Sequence, residues 1–355
     1  MIFSHHIDRL VTRPVKWLAA SNTLPCIAFS SRIRLARNIG GFPFPHCAGE
    51  QERTQIFDRV SKSMLESLGI NDPLNQELLQ VGSLNRQILF ERQLISREQK
   101  DPLPGNGLFV GEEEQYSVAV NEEDHLRIQV LQPGFSLLES WEIIDDIECK
   151  LGKLLQFVYD KNIGYLTSCP TNVGTGLRAS VMVHLPALVF NNQIKAFINS
   201  LSQMKCTVRG FYGEGSDSIG NLFQISNQST LGENETTIIH KLKKVIVRTI
   251  EHETNARSCL LENQCNELCD YIARAYGLLS YAYNLNSKEA MSYLSAVRLG
   301  IELGMITNLQ VETLNQLTIE IQSGHLQKIH NKILSAKERD ILRAEIIRST
   351  LKKPV

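Results

Sequence analysis

Apolar and polar positions alternate through the middle of the chain, whereas its last third follows a helical period. Within QYSVAVNEEDHLRIQVLQ, the alternation predicts strands at residues 115–120 and 125–131, joined by a polar turn at residues 121–124. Residues 137–160 have apolar side chains at helical spacing, which predicts an amphipathic helix. GYLTSC, residues 164–169, predicts a short strand that leads into a Pro/Gly loop. The first two thirds of the chain therefore mix strands and helices.

Helix signals dominate from about residue 234 to the end of the chain. In NSKEAMSYLSAVRLGIELG, Ser287 is a cap-type residue at the predicted start, and we expect the helix to stop near Gly304. In SAKERDILRAEIIRSTLKK, Ser335 and Glu338 have the spacing of a capping box. These signals predict a helical C-terminal region.

A change of pattern near residue 255 predicts two domains, over residues 1–255 and 256–355. A chain of 355 residues is long enough for two domains of ordinary size. Its apolar content of 43% and charged content of 21% are typical of a globular protein with a sizeable core. The sequence contains no internal repeat and no low-complexity linker, so the predicted boundary rests on the change of pattern alone.

The overall charge is balanced, with 37 Lys and Arg residues against 38 Asp and Glu residues. This balance points to neither nucleic acid nor a membrane surface as a partner. No stretch approaches the ~20 apolar residues of a membrane span, and the N-terminus lacks the apolar run of a signal peptide. The eight cysteines are irregularly spaced without a CxxC pair, which disfavours zinc and predicts reduced thiols in the cytoplasm. Any electrostatic recognition must therefore be local.

Three arginines occur within the nine residues of SSRIRLARN, residues 30–38. Arg32 and Arg34 are two residues apart, so on a strand they point to the same face, and Arg37 follows three residues later. Taken alone, the cluster fits a solvated strand face as well as it fits an anion site.

Two further segments combine acids, arginines and glycines. NEEDHLR, residues 121–127, places three acids at the hairpin turn, which is typical of a solvated turn, although Arg127 begins the return strand and could face those acids. RGFYGEGSDSIGN, residues 209–221, is a Gly-rich loop with Arg209 at its start and Glu214 at its centre. Such a loop is either merely solvated or a lid that carries a carboxylate to a substrate.

CPTNVGTGLRAS, residues 169–180, contains GTGLRA, a match to the dinucleotide fingerprint GxGxxA. That fingerprint needs an acid about 20 residues further on to hold a ribose, but residues 161–213 contain no Asp or Glu. No GK[ST] follows, so the segment is not a Walker loop. A Gly/Thr/Asn loop with free backbone N–H groups, followed by Arg178, suits an anion, and an ordinary tight turn is the alternative.

Together, these four segments provide five arginines and two isolated carboxylates. Arginine forks bind phosphate oxygens bidentately, and phosphoryl transfer needs charge neutralisation and alignment more than covalent help. Carboxylates that do not touch the phosphate could hold a cationic acceptor. The residues therefore predict a nucleotide-dependent phosphotransferase of non-Walker type. The arginines are Arg32, Arg34, Arg127, Arg178 and Arg209, and the carboxylates are Glu123 and Glu214.

SSRIRLARN, NEEDHLR, SCPTNVGTGLRASV and RGFYGEGS occur in this order in the phosphagen (guanidino) kinase superfamily. GFPFP and SVMVHLPALV add a resemblance to the bacterial protein-arginine kinases of that superfamily. The resemblance covers about residues 24–254 and implies an α+β fold, with an antiparallel β-sheet flanked by helices and then an all-α C-terminal domain. It also implies ATP as cofactor, with Mg²⁺ carried by the nucleotide and no dedicated metal site in the protein.

The resemblance also implies a role for each matching residue. The five arginines would hold the phosphates of ATP, and Glu123 and Glu214 would align the guanidinium of the acceptor, one of them as base. A guanidinium, with a pKa above ~12, is a poor nucleophile until it loses a proton, and carboxylates both orient it and favour that loss. Cys169 would be the active-site cysteine, whose thiolate adds to this polarisation.

RDILRA, residues 339–344, resembles the RDxxRA motif of protein-arginine kinases. The resemblance implies a separate phosphoarginine-binding site formed by Arg339, Asp340 and Arg343. Two arginines at i,i+4 on one helix face can share a phosphate while the aspartate pairs the guanidinium. Without the resemblance, RDxxR on a helix is usually a surface charge pattern.

The substrate class follows from a second comparison with the superfamily. Small-guanidine kinases have a helical domain before the SRIR segment, whereas here about thirty residues precede it, so we expect an open acceptor side that admits an arginine on a polypeptide. The leading hypothesis is an ATP-dependent protein-arginine kinase that transfers the γ-phosphoryl group to arginine side chains and marks proteins for Clp-type proteolysis in stress and quality control.

Partners and alternatives complete the sequence-based interpretation. The resemblance implies a zinc-binding activator, McsA, the Clp protease machinery and a possible homodimer.

Two alternatives to a protein-arginine kinase stay open. One alternative is a kinase for free arginine or another small guanidine. The other is a catalytically weak adaptor that binds phosphoarginine through Arg339, Asp340 and Arg343.

Overall fold

The computed structural model describes residues 7, 10–19, 26–69, 76–211 and 218–352. Ten β-strands lie within these residues: β1 (Ala28–Arg37), β2 (Gln76–Glu77), β3 (Gly107–Val110), β4 (Tyr116–Val120), β5 (Leu126–Pro133), β6 (Tyr159–Asp160), β7 (Gly164–Tyr165), β8 (Leu177–His184), β9 (Cys206–Arg209) and β10 (Leu222–Asn227). Eight of them form one antiparallel sheet in the order β2-β3-β4-β5-β1-β8-β10-β9, and β6 and β7 form a separate hairpin.

Eleven α-helices lie within the same described ranges: α1 (Glu50–Leu68), α2 (Ser83–Glu91), α3 (Leu137–Leu155), α4 (Pro186–Phe190), α5 (Ile194–Gln203), α6 (Glu235–Asn263), α7 (Cys265–Tyr281), α8 (Ser287–Glu302), α9 (Val311–Glu320), α10 (Ser323–Ile329) and α11 (Ala336–Leu351). Short 3₁₀ helices include Lys16–Leu18, Leu78–Gln80, Glu98–Lys100, Pro170–Asn172 and Ile219–Asn221. From α6 onward the described chain is helical, as the periodicity predicts. None of the helices in the described residues is long and apolar enough to cross a membrane.

One face of the sheet is apolar and forms the main core. Helices α1, α3 and α6 cover this face with their own apolar stripes. Each fully buried aliphatic side chain contributes about 1.5–3 kcal/mol, so this layer is the main source of stability for the sheet. The arrangement confirms the antiparallel sheet flanked by helices. Its strand residues include Ile33, Leu35, Val118, Val120, Ile128, Val130, Ala179, Val181 and Ile225.

The opposite face of the sheet, called the polar face below, carries polar and charged side chains on its central strands. Residues paired across an antiparallel ladder point to the same side, so the strand registers define this face. At one end, Leu131 and Met182 join a second core built with α8, α9 and α11. Away from that end the members of the polar face are Arg32, Arg34, Arg127, Gln129, Arg178, Ser180, Arg209, Gln224 and Ser226.

The hairpin predicted from alternation is present as β4 and β5. Its turn is closed by a hydrogen bond of 2.9 Å from the Asn121 N–H to the His125 carbonyl. Asn121 has a φ of 55°, a left-handed conformation that asparagine tolerates better than most side chains do. The turn therefore holds the three acids of NEEDHLR in a fixed loop between two strands.

Two predicted elements end earlier than the pattern indicates. Helix α3 stops at Leu155 rather than at residue 160, because Gln156 takes a φ of 52° and the next residue, Phe157, pairs with Ile39 in an isolated antiparallel bridge. The strand predicted over residues 164–169 is limited to Gly164–Tyr165. In both places the backbone forms an isolated bridge, Ile39 with Phe157 and Tyr165 with Gly174, and periodicity alone does not reveal such bridges.

Helix caps in the C-terminal region follow the predicted chemistry, with one shift. Ser335 and Glu338 form the predicted capping box at the start of α11. Helix α8 begins at Ser287, but its cap is the preceding Asn286, whose side chain accepts a hydrogen bond of 2.9 Å from the Glu289 N–H. The prediction of Ser287 as the cap was therefore wrong by one residue, because asparagine offers the same cap chemistry.

A buried ion cluster connects α6 to α8. Arg257 Nε lies 2.9 Å from Glu253 Oε1, and its Nη1 lies 2.5 Å from Glu302 Oε2. Arg298 Nε lies 2.9 Å from Glu302 Oε1, and its other nitrogens donate to Asn315 Oδ1 and to the Cys26 carbonyl. Glu253 also accepts the N–H groups at the start of α4. Glu253 and Arg257 lie on either side of the predicted domain boundary at residue 255, and α6 runs through that position without a break. The division into two domains stays a prediction.

Candidate active site

Five arginines lie together on the polar face, at positions set by strand register. Arg34 on β1 is directly opposite Arg178 on β8, and Arg32 is two residues before Arg34 on the same side. Arg127 on β5 is opposite Ala36, which is two residues after Arg34. Arg209 at the end of β9 is opposite Gln224, a further member of this face. Three separate sequence motifs and the first residue of the Gly-rich loop thus meet on one surface.

Electrostatics set this arginine group apart from a solvated charge pattern. Burial, followed by the charges of Arg127, Arg178 and Arg209, lowers the pKa of Arg32 to about 9. Burial and neighbouring arginines also hold the pKa of Arg34 well below its ordinary value. Within the described part of the chain, the Nε atoms of Arg32 and Arg34 are buried and have no hydrogen-bond partner. The group is therefore a cationic surface that a bound polyanion would stabilise.

Polar side chains hold several of these arginines in place. Arg178 Nη2 donates to Ser226 Oγ at 3.0 Å, and Arg32 Nη1 lies 3.4 Å from Gln93 Oε1. Arg127 Nη1 donates to both carboxylate oxygens of Glu122. Pre-set guanidinium groups lose less conformational freedom when an anion binds.

Arg37, the third arginine of SSRIRLARN, lies on the other face of the sheet. Its side chain is 2% exposed, with Nε 2.8 Å from Glu148 Oε1 and Nη1 donating to the Thr175 carbonyl at 2.9 Å. The guanidinium also stacks 3.5 Å above the Tyr165 ring. An odd separation of three residues from Arg34 puts Arg37 on the core side, where it neutralises a buried carboxylate.

The two glutamates of the NEEDHLR turn have different neighbours. Glu122 pairs with Arg127, as described above, whereas Glu123 lies beside the Cys169 thiol and accepts a hydrogen bond of 3.4 Å from Asn172 Nδ2. Cys169 Sγ is 3.0 Å from Thr171 Oγ1. Partial burial, followed by the charges of Asp124 and Glu122, raises the pKa of Glu123. Glu123 is solvent-exposed and Cys169 is half-buried, so an external group can reach this carboxylate–thiol pair.

A buried hydrogen-bond network fixes the distance between that glutamate turn and the cysteine loop. Asp124 Oδ1 accepts from Asn38 Nδ2 and from the Ser168 N–H, both at 2.7 Å. Asn38 Oδ1 accepts from the His125 N–H at 2.9 Å, and Asn38 Nδ2 also donates to the Leu166 carbonyl. Asn38, Asp124 and His125 are each at most 3% exposed. The last residue of SSRIRLARN and two residues of NEEDHLR therefore hold Glu123 and Cys169 in register.

Two of the three backbone N–H groups of the GTG loop already donate to other residues. The N–H of Gly174 donates to the Tyr165 carbonyl, that of Thr175 to the Thr230 carbonyl, and that of Leu177 to Thr175 Oγ1. The expectation that this loop binds an anion through free N–H groups is therefore wrong at these positions. The glycines are needed for close approach instead, because a Cβ on Gly174 would lie 2.3 Å from the Thr230 oxygen.

The remaining predicted residues lie elsewhere or outside the described chain. Glu214 falls within residues 212–217, which are outside the described residues. Arg343 is 3% exposed and donates to the carbonyls of Ile321 and Leu285, at 3.0 and 2.8 Å. It also pairs with Asp340 at 2.5 Å, while Arg339 Nη1 donates to the Leu334 carbonyl at 3.3 Å. These three residues on α11 form a group separate from the polar face.

Sequence reasoning missed the polar residues that support the site. Ser226, Gln93 and Asn172 contact the arginines or Glu123, and Asn38 and Asp124 tie the two loops together. Asn38 and Asp124 stand inside the quoted motifs, so a search for buried polar residues beside the chemical ones could have found them. Gln93 lies outside all four motifs and gives no such signal. No group of three or more His, Cys, Asp or Glu side chains that could hold a metal occurs among the described residues.

Comparisons with known proteins agree with this geometry. Residues 57–256 match the family model for the ATP:guanido phosphotransferase C-terminal catalytic domain. Residues 265–354 match the model for the protein-arginine kinase McsB C-terminal domain. The two models together cover most of the chain.

Curated relatives match along nearly the whole chain. The protein-arginine kinase of Halothermothrix orenii is 43% identical over 338 residues, which are 94% of this chain and 96% of that protein. The protein-arginine kinases of Desulforamulus reducens and Symbiobacterium thermophilum are 43% and 41% identical, over 95% and 97% of this chain and 95% and 99% of theirs.

Solved structures of other guanidino kinases share the fold. The duplicated taurocyamine kinase of Schistosoma mansoni with transition-state analogue components aligns with a TM-score of 0.59 at 25% identity, over 69% of this chain and 35% of that one. Lombricine kinase aligns with a TM-score of 0.57 at 21% identity, over 71% of this chain and 76% of that one. Family models, full-length relatives and fold all agree, and the chain belongs to the protein-arginine kinase family of ATP:guanido phosphotransferases.

Proposed function

We propose that this ATP-dependent kinase transfers the γ-phosphoryl group of ATP to the guanidinium of arginine side chains in proteins. The single observation that carries the proposal is the polar face itself, where five arginines gather beside an accessible carboxylate–thiol pair. The first group suits the triphosphate, and the second suits a cationic acceptor.

The arginines supply the phosphate side of the reaction. Burial and the neighbouring arginines lower the pKa of Arg32 and Arg34, and a bound triphosphate would offset the repulsion among these positive charges. The arginines proposed to hold the triphosphate are Arg32, Arg34, Arg127, Arg178 and Arg209. Phosphoryl transfer spreads negative charge over the equatorial oxygens, and fixed guanidinium groups stabilise that charge without reorganisation. Mg²⁺ would ride on the phosphates and screen their charge.

Glu123 and Cys169 supply the acceptor side. A carboxylate holds the incoming guanidinium, and its raised pKa brings it closer to the value at which it accepts a proton efficiently. As the guanidinium nitrogen attacks the γ-phosphorus, the bond to the ADP oxygen breaks and the proton moves to a carboxylate. Glu214 on the Gly-rich loop is proposed as the second carboxylate, on the strength of its motif alone.

The α11 group supports a separate phosphoarginine-binding site. Arg343 donates hydrogen bonds to two backbone carbonyls and pairs with Asp340, so its proposed role is to orient Asp340. Arg339 is half-buried and the Asp340 side chain is 27% exposed, which leaves them to contact the phosphate and guanidinium.

The cellular setting is proposed from the resemblance. It comprises the activator McsA, the Clp protease machinery, a homodimer and stress-related quality control. A cytoplasmic location fits the need for ATP and the absence of any disulfide among the eight cysteines, all of which lie in the described chain.

The test is transfer from Mg·ATP to an unfolded basic protein, with free arginine in parallel. Phosphoarginine is acid-labile, so sites are mapped by mass spectrometry at neutral pH. We expect phosphoarginine on the protein and its loss in Glu123→Gln. Glu139→Gln on the exposed side of α3 is the matched control and should retain activity.

The alternatives give different results. Transfer to free arginine but not to protein would replace the proposal with a small-guanidine kinase. No transfer to either acceptor, even with the activator present, together with phosphoarginine binding that Asp340→Ala abolishes, would favour the adaptor.

A further inference from the structure

A pair of thiols lies away from the active site, at the start of α7. Cys265 is the first residue of this helix, and Cys269 lies one turn later on the same side. Their Sγ atoms are 4.0 Å apart, and both residues are solvent-exposed. Neither residue belongs to a motif that the kinase reaction uses.

We propose that Cys265 and Cys269 form a reversible dithiol–disulfide site that low-molecular-weight disulfides oxidise. The site is independent of Cys169 and of the kinase reaction. Two neighbouring thiols that can reach each other and solvent meet the access requirement for thiol–disulfide exchange.

The two thiols differ in a way that assigns their roles. Cys265 occupies the first position of α7, at the exposed end of the helix, whereas Cys269 lies one turn inside it. Partial desolvation, followed by the hydrogen bond to Cys265 and the charge of Cys265, raises the pKa of Cys269, so this thiol loses its proton less readily than an ordinary cysteine. We therefore assign Cys265 as the attacking thiol and Cys269 as the resolving thiol.

The exchange balances without a further reactant. The Cys265 thiolate attacks one sulfur of glutathione disulfide, forming a mixed disulfide and releasing one glutathione thiolate, which takes the Cys269 proton. The Cys269 sulfur then attacks Cys265 Sγ, closing the intramolecular S–S bond and expelling the second glutathione as thiolate. The pair loses two electrons and the one proton of Cys269, glutathione disulfide gains them, and the negative charge of the Cys265 thiolate leaves on the second glutathione.

Helix geometry makes the oxidised form strained and therefore reversible. Cβ atoms one helical turn apart are about 5–6 Å from each other. A disulfide needs them at about 3.5–4.5 Å, so the first turn of α7 must tighten or unwind by about 1–2 Å. Gln264 provides no side-chain cap for this turn, whereas Leu268 is fully buried and anchors the helix behind it. Deformation is thus confined to residues 265–267.

The test uses the full-length protein, equilibrated in glutathione buffers of increasing potential, alkylated and cut with a protease specific for glutamate. Cleavage after Glu262 and Glu267 places Cys259, Cys265 and Cys269 in three different peptides. We expect the Cys265 and Cys269 peptides to become linked, two hydrogen atoms lighter than their sum. Cys269→Ser should stop the reaction at Cys265 with glutathione attached, and Cys259→Ser should leave the link unchanged.

Three results would overturn the proposal. One is that both thiols remain alkylatable at potentials where the exposed Cys47 and Cys149 already carry glutathione. Another is a link from Cys265 to Cys259 or to a second molecule in place of Cys269. The third is unchanged amide hydrogen exchange at residues 265–267 on oxidation, which would contradict the required deformation. None of these readouts depends on kinase activity.

Discussion

The polar face of the sheet and the buried ion cluster both contain several arginines. The ion cluster balances its arginines with glutamates, whereas the polar face has an excess of positive charge. In the ion cluster, two arginines meet two glutamates, and each contact between Nε or Nη1 and a carboxylate oxygen is 2.9 Å or shorter. On the polar face, the buried Nε atoms of Arg32 and Arg34 have no partner within the described residues. The pKa of Arg257 in the cluster is raised by Glu302 and Glu253 against the effect of burial, whereas that of Arg34 is lowered.

This contrast separates structural arginines from binding arginines. A cation that the protein neutralises itself adds to the stability of the fold, whereas a group of arginines with an excess of positive charge gains stability when a ligand supplies negative charge. Arg37 shows that both kinds occur on one strand, since it pairs with Glu148 on the core side while Arg34 faces the polar side. The partner, not the residue type, decides the role.

The largest expected effect is on the ion cluster. Glu302→Ala would leave Arg257 and Arg298 buried without their shared carboxylate, and we expect a loss of about 3–5 kcal/mol in the free energy of unfolding. Urea unfolding measures this loss, and Glu345→Ala on the exposed side of α11 is the matched control. Activity per folded molecule should persist. If Glu302→Ala lost activity but kept its full stability, the ion cluster would not have the structural role assigned to it here.

Arg34→Met and Arg37→Met test both kinds of arginine on the same strand. For Arg34→Met, we expect kcat/KM for ATP to fall about 10²–10³-fold, with no loss in Tm because a repulsive charge is removed. For Arg37→Met, we expect a loss of about 3 kcal/mol in stability, because Glu148 would lose its buried cation.

Tripolyphosphate sharpens this comparison without any chemistry. At about 100 times its Kd, a ligand that binds only the folded state stabilises it by about 2.7 kcal/mol. Wild type and Arg37→Met should show that rise in thermal unfolding, and Arg34→Met should lose most of it. An equal rise in all three proteins would rule out the polar face as the phosphate site.

Asp124 is expected to hold Glu123 and Cys169 in place, and its replacement should lower activity less than Arg34→Met does. Asp124→Ala would leave the partly buried Ser168 N–H without an acceptor and remove one of the two acceptors of the Asn38 amide, at a cost of about 1–3 kcal/mol. We expect kcat to fall while KM for ATP stays constant, because Glu123 and Cys169 would separate. Asp124→Asn keeps an acceptor oxygen and should restore most of the turnover. Equal defects in both variants would indicate that the charge, and not the contact, matters.

The smallest effect concerns pH. Because the pKa of Glu123 is raised, its carboxylate protonates at a higher pH than an ordinary glutamate, and the acidic limb of kcat/KM should lie above pH 4.5. Glu122→Gln removes one of the charges that raise this pKa and frees Arg127, so the limb should move to lower pH. Glu139→Gln should leave the profile in place. A limb that moves upward in Glu122→Gln would exclude Glu123 as the titrating group.

Local patterns predicted the local structure well. Alternation located β4 and β5, and the Ser335–Glu338 spacing located the start of α11, because each signal is contained in a few consecutive residues. The end of α3 was missed, since Gln156 leaves the helix and Phe157 then forms an isolated bridge with Ile39, more than a hundred residues earlier in the chain.

The site required information that the sequence holds only in part. A spacing of two placed Arg32 and Arg34 on one face, and the odd spacing of Arg37 could have placed it on the other. Bringing Arg127, Arg178 and Arg209 to the same surface depends on the strand order β5-β1-β8-β10-β9, which is a tertiary property. The ion cluster gives a similar lesson: ExxxR in α6 and RxxxE in α8 are visible, but their meeting is not.

The unbroken course of α6 has a consequence for dividing the molecule. With 29 residues, this helix is about 43 Å long, and its first half packs on the sheet while its second half enters the ion cluster. A polypeptide stopped at residue 256 would keep Glu253 in the interior and lose Arg257, while the complementary piece would keep Arg298 without the Cys26 carbonyl that it binds. We therefore expect the two segments to unfold as one cooperative unit, and neither to be soluble and native when expressed alone.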